Sequence, residues 1–293
     1  MKDSFLLDTL GRYVEWVPVC PEVEIGMGIP RENIRLIGDP QSPRLAAPKS
    51  GTDYTDTMKQ WAGMRVNQPD FMGIHGYILK SNSPSCGLFR VRVYANPTAP
   101  SRNGQGMFAQ KLVVTFPLLP VEEEGRLHDA KIRENFVERI FVYQRWQQLL
   151  DDNPTRSKLV FFHTSHKSTL MAHDPRSQAE LGRLVANQKH RSIAAVISEY
   201  GMLLMNTTKI VATNRKHANV LLHLLGFLKT HLDYADKEEL LELITEYRLG
   251  YIPLVVPLTL LQHHLHRNPV PDWVKQQVYL NPYPKELSLR NHV

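Results

Sequence analysis

Cysteine, long apolar runs and an acidic surplus are all scarce in this chain, and each shortage excludes something. Two cysteines in 293 residues, Cys20 and Cys86, exclude a disulfide-stapled scaffold. The longest apolar stretch runs from Tyr251 to Leu261, too short to span a bilayer and interrupted by Pro253 and Pro257. Met1-Lys2-Asp3-Ser4-Phe5 carries no hydrophobic signal region, so a cytoplasmic protein without a membrane partner is expected. In that compartment the cysteines are free thiols or ligands. No internal repeat or low-complexity tract appears.

What remains is the composition of a soluble globular protein, 42% apolar and 22% charged, long enough for two domains. The charge is unevenly placed. Residues 1–125 carry 13 basic and 13 acidic side chains, whereas the remainder carries 22 and 16 together with 12 of the 13 histidines. A neutral first part joined to a basic second part fits a catalytic unit followed by one that meets a polyanion; a plain basic solvated surface is the alternative.

Residues 5–13 read as the end of a helix leading into an apolar strand, Val14 to Val19, that delivers Cys20. Gly76-Tyr77-Ile78-Leu79 and Leu88 to Tyr94 read as strands around the polar loop Lys80-Ser81-Asn82-Ser83-Pro84-Ser85-Cys86-Gly87. Ile34 to Gly38 is a further short strand, Asp53 to Val66 a helix, Pro97 to Gly106 a loop, and Met107 to Phe116 a helix stopped by Pro117. Leu119 to Gly125 reads as a linker. Strands alternating with helices predict an α/β first domain, an open sheet with flanking helices over residues 1–125.

Beyond it, apolar spacing predicts helices over Lys131–Leu150, Ser157–Ala172, Gln178–Val185, Ile193–Met205, Asn214–Leu232, Lys237–Leu249 and Leu254–His266. Asp236 with Glu239 is a helix-start pair. No strand pattern follows residue 125, so residues 126–293 should form an all-α domain.

Both cysteines end segments that an α/β sheet could bring to one crevice, despite the 66 positions between them. Cys20-Pro21-Glu22 with Ser81, Ser83, Ser85 and Cys86 could hold a soft metal or an iron–sulfur cluster, with hydroxyl and carboxylate groups moving protons. Two buried space-filling cysteines, or a cysteine nucleophile, are the competing readings. His163-Thr164-Ser165-His166 and His263-His264-Leu265-His266 suggest metal ligands, but neither has an acidic partner at helical spacing, which favours structural or RNA-facing histidines. Arg102-Asn103-Gly104-Gln105-Gly106 before a helix could cradle a phosphate or form a plain turn.

Val19-Cys20-Pro21-Glu22-Val23-Glu24-Ile25-Gly26-Met27-Gly28-Ile29-Pro30-Arg31-Glu32 and Leu79 to Gly87 resemble the two signature segments of the thiouracil desulfidase (TudS) family. Phe116 to Leu127 is similar to that family's closing segment. From about residue 128 the chain resembles the YbgA-type domain, through Arg133 to Phe141, Phe162 to Lys167 and Leu181 to Val185. The resemblance implies a non-redox desulfidase in which three cysteines hold a 4Fe–4S cluster with one open iron. That iron takes the sulfur of a thiolated uracil while water replaces it.

Fused to a YbgA-type domain, the implied substrate is tRNA containing 4-thiouridine, returned to uridine. Cys20 and Cys86 match two of the ligands. Glu22 matches the position for proton transfer and Ser83 that for positioning substrate or water, with Ser81 and Ser85 as alternatives. Arg133, Arg139, Arg145, His163, His166 and Lys167 are the expected RNA-facing residues. The family's Ser-x-Cys-Leu-Leu-Gly segment, source of the third ligand, has no counterpart here. The expectation is a truncated chain, its cysteine loops being intact; the rival is an inactive RNA-binding or adaptor protein with a remnant desulfidase domain. A zinc or cysteine hydrolase is a third option.

Overall fold

The computed structural model describes residues 4–95, 99–187 and 191–293. Expectations resting on residues 1–3, 96–98 and 188–190, including those for Met1 and Pro97, lie outside the described residues. The chain divides into two compact units, Met1–His128 and Asp129–Val293.

The first unit is α/β, as its alternating pattern predicts. One sheet has the order β2 (Arg44–Ala46), β1 (Arg35–Ile37), β4 (Val91–Tyr94), β5 (Ser101–Gly104). Strands β1 and β4 are parallel, and the outer pairs antiparallel. A second sheet pairs β3 (Tyr77–Leu79) with β6 (Val121–Glu123) in parallel. Helices α1 (Pro21–Glu24), α2 (Thr55–Arg65), α3 (Pro69–Met72) and α4 (Met107–Thr115) complete the unit.

Its core is aromatic. Phe108 of α4 meets Trp61 of α2 at 5.2 Å and Tyr77 of β3 at 5.8 Å between ring centroids, with Phe71 edge-on.

Four local expectations need correction. Residues 13–19 form no strand; two helical turns, Phe5–Thr9 and Leu10–Arg12, lead through irregular chain to Cys20. Strand β4 starts at Val91 rather than Leu88, because Leu88 and Phe89 give their N–H groups to the Glu123 carboxylate and Arg90 adopts φ +54°. Ser101–Gly104 is an edge strand, not a loop. The Leu119–Gly125 linker contains β6, whose backbone completes the β3 ladder.

The second unit is helical, with no strand among the described residues. Its helices are α5 (Ala130–Asp151), α6 (Arg156–His173), α7 (Pro175–Ala186), α8 (Ile193–Thr208), α9 (Asn214–Leu225), α10 (Tyr234–Leu249), α11 (Val255–Arg267) and α12 (Asp272–Lys275). From α5 to α10 each start is capped by a side-chain oxygen, from Asp129, Thr155, Asp174, Ser192, Thr213 and Asp233 in turn. The cap of α10 is therefore Asp233, which accepts from the Asp236 N–H, rather than Asp236 itself. Gly250, at φ +84°, ends that helix in the left-handed conformation. Trp146, stacked on Tyr200 and edge-on to Phe162, anchors one part of the core, and Leu221, Leu224, Leu240, Leu261 and Tyr279 lie at the heart of another.

Candidate active site

Cys20 stands at the N-cap of α1, with Pro21 preset for the first helical position and Glu22 in the first turn. The Ser83–Gly87 loop is seated on a helix start. Four N–H groups at the start of α4 point at its carbonyls: Gly106 to Gly87, Met107 to Pro84, and Phe108 and Ala109 to Ser85. A Cβ on Gly106 would lie 2.5 Å from the Ser85 carbonyl, so only glycine permits this approach. The phosphate-cradle reading of residues 102–106 is thereby corrected, since these donors are spent on the protein's own chain.

Glu22 joins the two segments. Its Oε1 accepts from Ser83 Oγ at 3.4 Å and from Ser85 Oγ. Its Oε2 accepts from Arg31 Nη2 at 2.9 Å and lies 3.7 Å from Cys20 Sγ. Arg31 Nη2 also reaches Cys20 Sγ at 3.6 Å, and Ser85 Oγ stands 3.7 Å from Cys86 Sγ. The Cys86 N–H donates to Ser83 Oγ at 3.1 Å. Cys20, Glu22, Ser83, Ser85 and Cys86 thus share one centre; Ser81 stands apart from it.

The electrostatics differ between the thiols. Burial, helped by the charges of Glu22 and Cys20, pushes the Cys86 thiol up to about 12, against the pull of the Ser85 and Ser83 hydroxyls. Cys20 is half-buried and has a guanidinium beside it. Tyr77 lies within electrostatic reach of both sulfurs, and burial is the main cause raising its phenol.

A second group of carboxylates holds the serine loop from behind. Glu124 accepts from the Ser81 N–H at 2.7 Å and from Lys80 at 2.9 Å. Burial opposes its ionisation, but those two donors outweigh burial and keep its carboxyl below the usual range. Glu123 holds Leu88 and Phe89, and Glu122 meets Arg126 at 2.8 Å. Sequence reasoning placed these three in a linker and gave Arg31 no role. A triple carboxylate after an apolar strand-like run was the available signal.

In the helical unit the expected RNA-facing residues differ in exposure. Arg139 is buried, and His163 is buried with Nδ1 3.1 Å from the Tyr200 hydroxyl. Arg133 is half-buried, Lys167 exposed, and Arg145 and His166 line a cavity.

Two thiols and one carboxylate fall one thiolate short of the three that a site-differentiated 4Fe–4S cluster requires. No cluster of three or more metal-ligating side chains forms among the described residues. This donor set does not fit that group.

A thiol–carboxylate–hydroxyl centre lies in the α/β unit, and a helical unit follows it in the chain. Residues 1–124 match the family described as 2-thiouracil desulfurase, and residues 167–284 match a family described as a protein of unknown function, DUF1722. The uncharacterized protein YbgA of Escherichia coli (strain K12) is 29% identical over 154 residues, 52% of this chain and 90% of YbgA. No solved structure matches the chain. No helix among the described residues is long and apolar enough to cross a membrane.

Proposed function

We propose that the first unit removes sulfur from 4-thiouridine in tRNA, giving uridine. The observation that supports this most is the convergence of Cys20 and Glu22 with Ser83, Ser85 and Cys86 across more than 60 positions of sequence. The overall change is hydrolytic. Water forms a bond to the ring carbon, the carbon–sulfur bond breaks, and sulfur leaves as hydrosulfide with no net electron transfer.

Glu22 is the group that accepts the proton of water and returns one to the departing sulfur. Ser83 and Ser85 hold the carboxylate and position the water. Cys86, kept as a thiol by its burial, offers its S–H as a weak hydrogen-bond donor to the thiocarbonyl sulfur. Arg31 balances the negative charge that grows on the centre. The base must leave its stack to reach this site.

The test is sulfide release, with loss of thiocarbonyl absorption, from tRNA carrying 4-thiouridine and from free 4-thiouracil and 2-thiouracil. No sulfide from any of the three sinks the proposal; sulfide from the free bases alone sinks its tRNA part. The two-thiol donor set favours a second reading, an RNA-binding protein with a remnant desulfidase domain. Salt-sensitive tRNA binding without turnover supports it. Iron and acid-labile sulfide after anaerobic purification decide whether a cluster belongs here at all.

A further inference from the structure

The two thiols of the first unit stand in different situations. Cys86 is buried in the serine loop, whereas Cys20 is half-buried at the start of α1, where a substrate can reach it. Two thiols are one short of the set that holds a site-differentiated cluster, so the described residues complete no ligand role for Cys20. Its polar neighbours suit a different task. Glu22 Oε2, a base, lies 3.7 Å from Cys20 Sγ, and Arg31 Nη2, a cation, lies 3.6 Å from it.

The two oxygens of Glu22 are divided between partners. Ser83 and Ser85 hold Oε1, which leaves Oε2 turned to Cys20 and Arg31. A sulfur, a base in contact with it, and hydroxyls that orient the base are the parts of an activated nucleophile. Arg31 Nη2 is 2.9 Å from Oε2 as well, so a proton passing from sulfur to oxygen moves the negative charge without taking it away from the guanidinium. The turn carrying Cys20 is itself tied down. Glu24, at the end of α1, accepts from Trp61 Nε1 at 3.2 Å and meets Arg65 Nε at 3.3 Å, both on α2.

We propose that Cys20 is the nucleophile of desulfuration and that the hydrolysis passes through a base bound covalently to its sulfur. This rests on the desulfuration reading above and adds the attacking atom. Sγ bonds to the ring carbon as the Cys20 proton passes to Glu22 and the thiocarbonyl electron pair moves onto its own sulfur. Glu22 returns that proton to the departing sulfur. The neighbouring ring nitrogen supplies the pair that expels hydrosulfide, and its proton goes to solvent. Water then bonds to the same carbon, giving one proton to Glu22, while the ring nitrogen regains one from solvent. Cys20 Sγ leaves with the pair it brought and takes its proton back from Glu22. Nothing is oxidised or reduced.

Sulfide release by the full chain, with iron removed by a chelator, is followed on thiolated tRNA and thiouracil beside the Cys20→Ala variant. Release should persist under chelation and fall about 10³-fold or more in Cys20→Ala. Acid quench and digestion of the wild type should yield a Cys20 peptide heavier by the base less hydrogen sulfide. Hydroxylamine should divert the product to the hydroxyamino base without changing the rate of sulfide release, which registers the intermediate even when its hydrolysis is fast. Release unchanged in Cys20→Ala, release abolished by chelation, or release with neither adduct nor diversion overturns the inference and leaves the desulfuration reading standing. No sulfide from the wild type, with or without the chelator, sinks that reading and the inference with it.

Discussion

One carboxylate serves four partners in the candidate active site. Glu22 meets two hydroxyls through one oxygen, and a thiol and a guanidinium through the other, so its position is fixed before any substrate arrives. Glu22→Gln keeps the shape and loses the base. Sulfide release should fall about 10²- to 10⁴-fold with the melting temperature little changed, and a wild-type rate in that variant would remove Glu22 from the chemistry. Ser85 is fully buried, and Ser85→Ala takes one hydroxyl donor from the partly buried Glu22 carboxylate, at a cost of about 1 kcal/mol in a denaturant titration. The same substitution removes a hydroxyl that draws the Cys86 thiol downward. In the wild type, burial holds that thiol above its ordinary value. Its alkylation at pH 8 should therefore be slower than in urea, and stability should be lost as pH rises past the ordinary thiol range. Equal alkylation rates in the native and unfolded states would contradict this.

At the scale of elements, the serine–cysteine loop is held by the start of α4 on one side and the glutamates of β6 and its border on the other. Gly106→Ala should therefore be more damaging than an exposed helix-start substitution. Its Cβ meets backbone rather than a side chain that can turn away, and a loss of about 1–3 kcal/mol in thermal or denaturant unfolding is expected. A stability equal to the wild type would show that the loop can withdraw from the helix. The loop itself was legible in the sequence, because Pro84, Gly87 and three serines leave few alternatives to an irregular turn. The strand before Cys20 was misread, since its apolar residues Trp16 and Val17 lie substantially exposed on irregular chain instead of in a ladder. Strand β6 was hidden for the opposite reason. Its glutamates look solvent-bound in a linear pattern, yet both are buried: Glu123 accepts from the Leu88 and Phe89 N–H groups across the fold, and Glu122 from the Arg126 guanidinium four residues on. Helix stripes and caps, being local, were readable; buried polar partners lie far apart in sequence and were not.

At the scale of the whole chain, the largest store of charge lies inside the helical unit. Glu134 and Glu138 are buried beside Arg290, with separations of 3.8 and 3.9 Å, while Glu138 meets His173 Nε2 at 3.0 Å and Glu134 accepts from the Tyr283 hydroxyl at 2.9 Å. Helical spacing marked these positions as ordinary α5 residues, and only tertiary packing sets them against α6 and the C-terminal segment. Burial and the neighbouring Glu138 hold the Glu134 carboxyl above its ordinary range. Burial opposes the charge of both Glu138 and His173, but their mutual hydrogen bond and attraction prevail, lowering Glu138 and raising His173. The signs then combine. Glu134, with its folded value raised, costs stability as pH climbs from the usual carboxylate range through neutrality, and His173 withdraws its contribution as pH rises through its own raised value. Glu138 withdraws its contribution only as pH falls below the usual carboxylate range. The cluster's contribution to stability should therefore fall as pH rises from the usual carboxylate range to about 7 and beyond, the opposite of what surface carboxylates contribute. Glu134→Gln should flatten the decline, and Arg290→Met, by leaving two carboxylates without their shared cation, should cost about 3–5 kcal/mol and steepen it. Melting temperatures across that range measure all three, and a Glu134→Gln curve parallel to the wild type would mean that the cluster does not carry the charges assigned to it.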